Sequence, residues 1–176
     1  MKKVWLHRQI TAALLAALLA VISPFYIPLY GVPLTLSTFG VYLCALLAGG
    51  GWGTAAVGIY LLLGAVGIPV FSGFTGGFQV FAGPTGGFLL GYLPCVLLAG
   101  WLCQHFGQKP FLWGLSLLCG TVLLYACGTA WYMAHANLSL RIALLTCVVP
   151  FLPWDAVKLV AAVSLAYPVK KTLQRA

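Results

Sequence analysis

Acidic residues are almost absent from this sequence of 176 residues. Asp155 is the single Asp or Glu, against nine Lys and Arg, and charged residues make up 6% of the chain. A soluble domain carries about 25% charged residues, so this chain has too few charges to cover a water-facing surface. Hydrophobic residues make up 62% of the sequence, and the mean hydropathy is +1.06. The composition therefore predicts an integral membrane protein.

Several catalytic and nucleotide-binding motifs are missing as well. The six cysteines include no CxxC pair, which counts against a disulfide framework and against a membrane thiol-redox enzyme. No GxxxxGK[ST] sequence is present, so the chain has no P-loop for ATP. A single carboxylate leaves little for acid–base or metal chemistry. We therefore expect no catalysis, cofactor or metal in this chain, and energy for active transport would come from a partner.

Six apolar stretches are candidates to cross a bilayer, which takes about 20 apolar residues each. They are residues 5–23, 36–50, 52–66, 86–106, 111–133 and 142–168. The second and third stretches are short and are separated by glycines, which permit a tight turn. We expect a single membrane domain over residues 1–176, an all-α bundle of six transmembrane helices.

Basic residues set the predicted orientation of this bundle in the lipid bilayer. With six spans, one side holds Lys2, Lys3, Arg8, Lys109, Lys170, Lys171 and Arg175. The opposite side holds only Arg141. Because basic residues collect on the cytoplasmic side, we expect both termini in the cytoplasm and the protein in a bacterial cytoplasmic membrane. The basic residues form no stripe, so nucleic acid is not an expected partner.

Two connections on the predicted outer side are rich in proline and glycine, residues 24–35 and 67–85. Irregular backbone near a membrane is tolerated where it lines a cavity or reaches water. We interpret these connections as a lid and a wall over an outward-facing pocket. The alternative is that they are ordinary surface turns.

Two opposite charges lie inside the last predicted span. Asp155 and Lys158 are three residues apart, so they project from one face of a helix. Charged residues within a span are rare and usually functional. Because Pro150 and Pro153 interrupt the helical ladder, we expect a helix to begin near Trp154. A Lys can hold a ligand carboxylate and an ionised Asp accepts N–H donors; the alternative is an ion pair that only fixes helix packing.

A ridge of small residues runs along the first span. Ala12, Ala16 and Ala20 are spaced at i, i+4 and i+8 and therefore share one helical face. Such ridges let another helix approach closely. The ridge could contact a partner subunit or other helices of the same chain, and the sequence leaves both interpretations open.

Four segments resemble the BioY family, whose members are biotin-binding S components of energy-coupling factor (ECF) transporters. The segments are 32–35 (VPLT), 67–71 (GIPVF), 83–88 (GPTGGF) and 153–158 (PWDAVK). They follow one another in the order and spacing of that family over nearly the whole chain. The resemblance implies six helices and an outward-facing biotin pocket, roofed by the loop between the first two helices.

The resemblance also implies which residues contact biotin. Asp155 and Lys158 would bind it, with Gln79 as a polar residue between the third and fourth helices. On this interpretation Lys158 takes the carboxylate of biotin and Asp155 its ureido N–H groups. The candidates for an aromatic lining are Phe71, Phe78, Phe88 and Tyr92.

Partners follow from the same resemblance. The alanine ridge would lie against a transmembrane coupling (T) subunit, and two ATPase subunits would complete the transporter and drive delivery inward. The sequence departs from the family pattern at Ser37, Phe88 and Trp154, where Gln, Tyr and Gly are common. These departures leave an S component for another small vitamin as the alternative.

Overall fold

The structure, a computed structural model, describes residues 2–28, 32–107 and 109–173. The helices in these ranges are α1 (Lys2–Ile22), α2 (Ser37–Leu43), α3 (Gly49–Ala65), α4 (Gln79–Ala82), α5 (Gly86–His105), α6 (Pro110–Ala136), α7 (Leu140–Cys147) and α8 (Leu152–Leu173). A π-helical segment, Cys44–Ala48, joins α2 to α3. Of the basic residues used for the predicted orientation, Arg175 and the side chains of Lys2 and Lys3 lie outside the described residues.

Five helical stretches of the described chain are long and apolar enough to cross a membrane. They are Trp5–Ile22, Ser37–Ala65, Gly86–His105, Pro110–Ala136 and Leu152–Thr172. This confirms the prediction of a multi-pass, mostly helical protein. The predicted spans 5–23, 86–106 and 111–133 correspond to α1, α5 and α6.

The stretch Ser37–Ala65 is folded back on itself at Gly49, where the glycine-rich sequence predicts a turn. Gly49 has a φ of 78°, a left-handed value that glycine adopts without the penalty of a Cβ. A Cβ on Gly53 would lie 2.7 Å from the carbonyl oxygen of Cys44. Nine residues of a straight helix would separate these two residues by about 13.5 Å along the axis. The start of α3 therefore returns alongside the π-helical segment.

The prediction of one continuous span over 142–168 is corrected by the structure. The chain forms two helices there, α7 and α8, separated by turns over residues 148–151. Pro150 lies in this break, and Pro153 occupies the first turn of α8, where its missing N–H costs no hydrogen bond. The new helix begins at Leu152, within two residues of the position that the prolines predict.

Helix α5 lies at the centre of the bundle. It packs against α3 and α6, while α1 packs on α3 and α2 packs on α8. A second, smaller core joins β2 (Leu34–Thr35) and α7, through buried residues that include Leu34, Ala143 and Phe151. Strand β2 pairs antiparallel with β1 (Tyr26–Ile27) in a short ladder that the sequence did not predict. The small core therefore covers one end of the bundle.

The two ends of the bundle differ in charge and in backbone structure. At one end, called here the basic end, Nζ of Lys170 donates to the carbonyl oxygen of Leu46 at 2.6 Å and lies 5.0 Å from the ring centroid of Trp113. At the other, called here the loop end, the connections 23–36 and 66–85 meet. There the N–H of Gly73 donates to the carbonyl oxygen of Pro24 at 2.9 Å. The irregular connections predicted to form a lid and a wall are thus in contact with each other.

Candidate binding site

Asp155 owes its position to the break before α8. The helix starts at Leu152, so Asp155 lies in its first turn, where free N–H groups and the helix dipole favour an acidic side chain. Its own N–H donates to the carbonyl oxygen of Phe151 at 2.8 Å. The side chain is buried at the loop end of the bundle, as the sequence predicts for a charge with a functional role.

Asp155 and Lys158 form the ion pair that their spacing predicts. Nζ of Lys158 is 2.8 Å from Oδ1 of Asp155, and the exposed fractions of the two side chains are 10% and 6%. The hydroxyl of Thr38 accepts a hydrogen bond from Lys158 at 2.9 Å and donates to Oδ1 of Asp155 at 3.1 Å. The hydroxyl of Tyr125 donates to Oδ2 at 2.6 Å. The pair is therefore held by residues of α2, α6 and α8.

Few hydrogen-bonding positions remain on this ion pair. An ammonium group has three donors and a carboxylate has about four acceptor positions. Two donors of Lys158 are used, one by Thr38 and one by Asp155. Asp155 already accepts from Lys158, Thr38 and Tyr125. The pair can thus offer a ligand one donor and one acceptor, side by side.

Thr38 and Tyr125 are site residues that the sequence analysis missed. A signal for Tyr125 was available, because Thr121, Tyr125 and Thr129 are spaced by four residues and make a polar stripe on an otherwise apolar span. Thr121 bonds the hydroxyl of Tyr42 on α2 at 2.7 Å. One helical turn below the ion pair, this contact adds a second polar link between α2 and α6.

A cleft with two lobes opens beside the ion pair. Both lobes are lined by Val32, Pro33, Thr35, Phe88 and Tyr92. The first, called here the charged lobe, has a volume of about 380 Å³ and is also lined by Asp155, Lys158, Thr38 and Tyr125. The second, called here the hydroxyl lobe, has a volume of about 560 Å³ and is also lined by Ser37, Tyr60, Phe71, Ser72, Thr75 and Thr85. Both volumes suit a small-molecule ligand.

The structure brings most of the predicted site residues to this cleft, but not all of them. Asp155 and Lys158 line the charged lobe, Phe71 lines the hydroxyl lobe, and Phe88 and Tyr92 line both. Trp154, where the family pattern has Gly, is half exposed and lines neither lobe.

Gln79 and Phe78 are corrections to the predicted site. Gln79 is exposed, and its Nε2 donates to the carbonyl oxygen of Gly76 at 3.0 Å instead of reaching the cleft. Phe78 is 75% exposed. Both residues lie where α4 begins, and the turn at Gly77, with a φ of 99°, directs this segment away from the lobes.

The alanine ridge of α1 faces the chain's own core. Ala12 and Ala16 are buried, and Ala20 packs against the same core. Of the two interpretations left open by the sequence, packing against other helices of this chain is the one seen here. Any contact of α1 with another subunit would use its exposed face instead, which includes Leu14 and Val21.

A protein-family comparison agrees with the predicted resemblance. The model of the BioY family matches residues 1–175. The chain belongs to the BioY family. Among curated relatives of this BioY protein, the biotin transporter BioY of Thermotoga maritima is 39% identical over 94% of this chain and 97% of its own length. The biotin transporter BioY2 of Lactococcus lactis is 36% identical over 90% of this chain and 87% of its own length.

A solved structure is similar to this BioY chain over almost its entire length. It is the 2.1 Å crystal structure of the S-component for biotin from an ECF-type ABC transporter, with a TM-score of 0.88 and 25% sequence identity. The match covers 97% of this chain and 94% of that chain. The predicted S-component fold is therefore confirmed. The relatives are transporters, so BioY belongs to a class of membrane transport proteins and not to a class of enzymes.

Proposed function

We propose that this protein is the biotin-binding S component of an ECF transporter. It captures biotin at the loop end with high affinity and delivers it inward together with a coupling module, which consists of a transmembrane T subunit and two ATPase subunits. The observation that carries the proposal is the buried Asp155–Lys158 pair, which lines a cleft in a BioY-family fold. No catalytic step is required of this chain.

The geometry of the ion pair supports a specific orientation of biotin. Nζ of Lys158 and Oδ1 of Asp155 are 2.8 Å apart, so both groups meet the same end of the ligand. The interpretation from sequence, which assigned Lys158 to the carboxylate and Asp155 to the ureido group, is therefore replaced. The one remaining donor and one remaining acceptor match the C=O and N–H of a cyclic urea. The ureido ring thus occupies the charged lobe.

Aromatic residues supply the apolar walls of the site. Phe88 and Tyr92 line both lobes, and Phe71 lines the hydroxyl lobe. Burial of apolar area stabilises a complex by about 25 cal/mol per Å², so the fused rings and the alkyl chain of biotin gain affinity against these side chains. The side chain of biotin then extends from the charged lobe toward the hydroxyl lobe.

The proposed topology has six membrane crossings, with both termini in the cytoplasm. The reversal at Gly49 supports two crossings within Ser37–Ala65, which bring the total to six. Lys109, Lys170 and Lys171 belong to the basic end, and basic residues favour the cytoplasmic side. The cleft then faces outward across a bacterial cytoplasmic membrane, where the vitamin is captured.

Calorimetric binding of biotin to detergent-purified protein tests this function. Removing one partner of a buried charge pair costs about 2–5 kcal/mol of binding free energy. Lys158→Met should therefore weaken biotin binding at least about 30-fold. Lys171→Met is a matched control, because Lys171 is exposed at the opposite end of the same helix; it should bind like the wild type.

Folding must be separated from binding in this experiment. An unpaired buried charge destabilises a protein by about 3–5 kcal/mol, so Lys158→Met alone could unfold. The double variant Asp155→Asn, Lys158→Met removes both charges and should keep a cooperative thermal transition while it loses biotin. A folded wild type that ignores biotin but binds thiamine, riboflavin or pantothenate would contradict the biotin assignment and establish the alternative vitamin.

A further inference from the structure

The hydroxyl lobe contains a buried hydroxyl without a hydrogen-bond partner. Tyr60 is completely buried, and its hydroxyl makes no hydrogen bond within the described part of the chain. It lies near the hydroxyls of Ser23 and Ser37 without bonding either of them. Tyr92, which is also buried, brings a further hydroxyl close to Ser37 and Thr35. Several donors therefore converge on one side of this lobe.

Such an arrangement is unfavourable unless something completes it. A buried polar group without a partner loses its hydrogen bonds to water and gains none in return. Tyr60 and Ser37 both line the hydroxyl lobe, so an acceptor atom placed there would satisfy donors that the chain leaves unused. The lobe is thus built to receive a polar group of a ligand.

The hydroxyl lobe offers no positive charge to that group. None of its described lining residues is Lys, Arg or His. The nearest lining cation of the cleft, Lys158, belongs to the charged lobe, where Asp155 and Thr38 take two of its three donors. Any acceptor in the hydroxyl lobe is therefore bound through neutral hydroxyl donors.

We infer that the hydroxyl lobe binds the polar end of the ligand's side chain by neutral hydrogen bonds and does not require that end to be charged. The inference rests on the proposed function, in which the ureido ring fills the charged lobe. A hydroxyl donates about twice as strongly to a carboxylate as to a neutral acceptor. A carboxylate, however, loses more hydration on entry than an amide does. Because the two effects oppose each other, an acid and a neutral amide bind alike.

The inference is tested with biotin and biotin amide, in which a neutral primary amide replaces the acid. Both ligands are titrated into the same purified wild-type protein by calorimetry, so no variant has to fold. Biotin amide should bind within about tenfold of biotin, since one neutral hydrogen bond changes affinity by about two- to tenfold. Tyr60→Phe, which removes only the hydroxyl, should weaken both ligands by that same factor.

Tyr167→Phe is the matched control, because Tyr167 packs against Trp113 at the basic end, far from the cleft. It should leave both affinities unchanged. If biotin binds and biotin amide is more than tenfold weaker, the inference is overturned while the proposed function stands. Tyr60→Phe with unchanged affinity for both ligands also overturns it. If a folded wild type binds neither ligand, the proposed function and the inference fail together.

Discussion

One methyl group added to α6 should narrow the cleft. Gly128 is buried on α6, and Phe88, which lines both lobes, lies directly against it. A Cβ on Gly128 would be 2.6 Å from Cγ of Phe88 and closer still to Cδ1 and Cε1. Carbon atoms in contact are about 3.5–4.0 Å apart, so Gly128→Ala must displace the ring by about 1 Å. Because α6 stands behind the ring, the open direction is the cleft.

The magnitude follows from the cost of overpacking. Extra methyl groups in a packed site cost about 1–3 kcal/mol, which corresponds to about 5- to 150-fold in affinity if the strain appears only when biotin is bound. The unfolding free energy should change much less, since replacing a helical glycine by alanine favours the helix by about 1 kcal/mol. Gly128→Ala should therefore separate binding from stability.

A four-protein comparison provides the assay. Biotin is titrated calorimetrically into the wild type, Gly128→Ala, Phe88→Leu and the double variant, and thermal unfolding is recorded for each. The double variant should bind biotin more tightly than Gly128→Ala alone, because the smaller Leu no longer blocks the cleft. Gly58→Ala is the matched control, since an added Cβ on that helical glycine of α3 meets no atom within 4 Å.

Two results would refute this reasoning. A folded Gly128→Ala protein with wild-type affinity would show that the ring of Phe88 does not form the wall of the occupied site. A double variant that binds as weakly as Gly128→Ala would show that the loss comes from a shift of α6 itself and not from the ring.

Two further substitutions test the supports at either end of the bundle. Lys170→Met removes a hydrogen bond to Leu46 and a cation–π contact with Trp113; we expect a loss of about 2 kcal/mol in the free energy of unfolding by denaturant with biotin affinity preserved, and an unchanged denaturation midpoint would be evidence against this role. Tyr125→Phe removes the 2.6 Å hydrogen bond to Asp155 and should weaken biotin binding about tenfold in titration, because a hydrogen bond to a charged group contributes about 1.5–3 kcal/mol. Tighter binding would mean that Tyr125 competes with the ligand for the carboxylate.

Much of the fold and part of the site could be predicted because the membrane makes a few residue types informative. A charge inside an apolar span has few explanations, so Asp155 and Lys158 were identifiable from spacing alone. Pro150 and Pro153 have a local effect on the backbone, which placed the start of α8 correctly. Gly49 marks the reversal within Ser37–Ala65 for the same reason, since few other residues adopt its φ of 78°.

Features that depend on tertiary contacts could not be predicted in this way. Thr38 approaches Asp155 from 117 residues away, and no local pattern encodes that distance. The spacing of Ala12, Ala16 and Ala20 identifies a helix face but not the helix that packs on it. Gln79 followed a family pattern, yet the turn at Gly77 directs its side chain away from the cleft.

One carboxylate suffices for this site because the ion pair is already satisfied without a ligand. Lone charges in an apolar interior are very costly, but Asp155 is offset by Lys158 and by donors from Thr38 and Tyr125. The charged lobe therefore keeps its shape when empty, and a preorganised site loses less free energy on binding. The same satisfaction limits what the pair can add for a ligand. Affinity must then come mainly from the apolar walls, while the pair selects a ligand with a donor and an acceptor side by side.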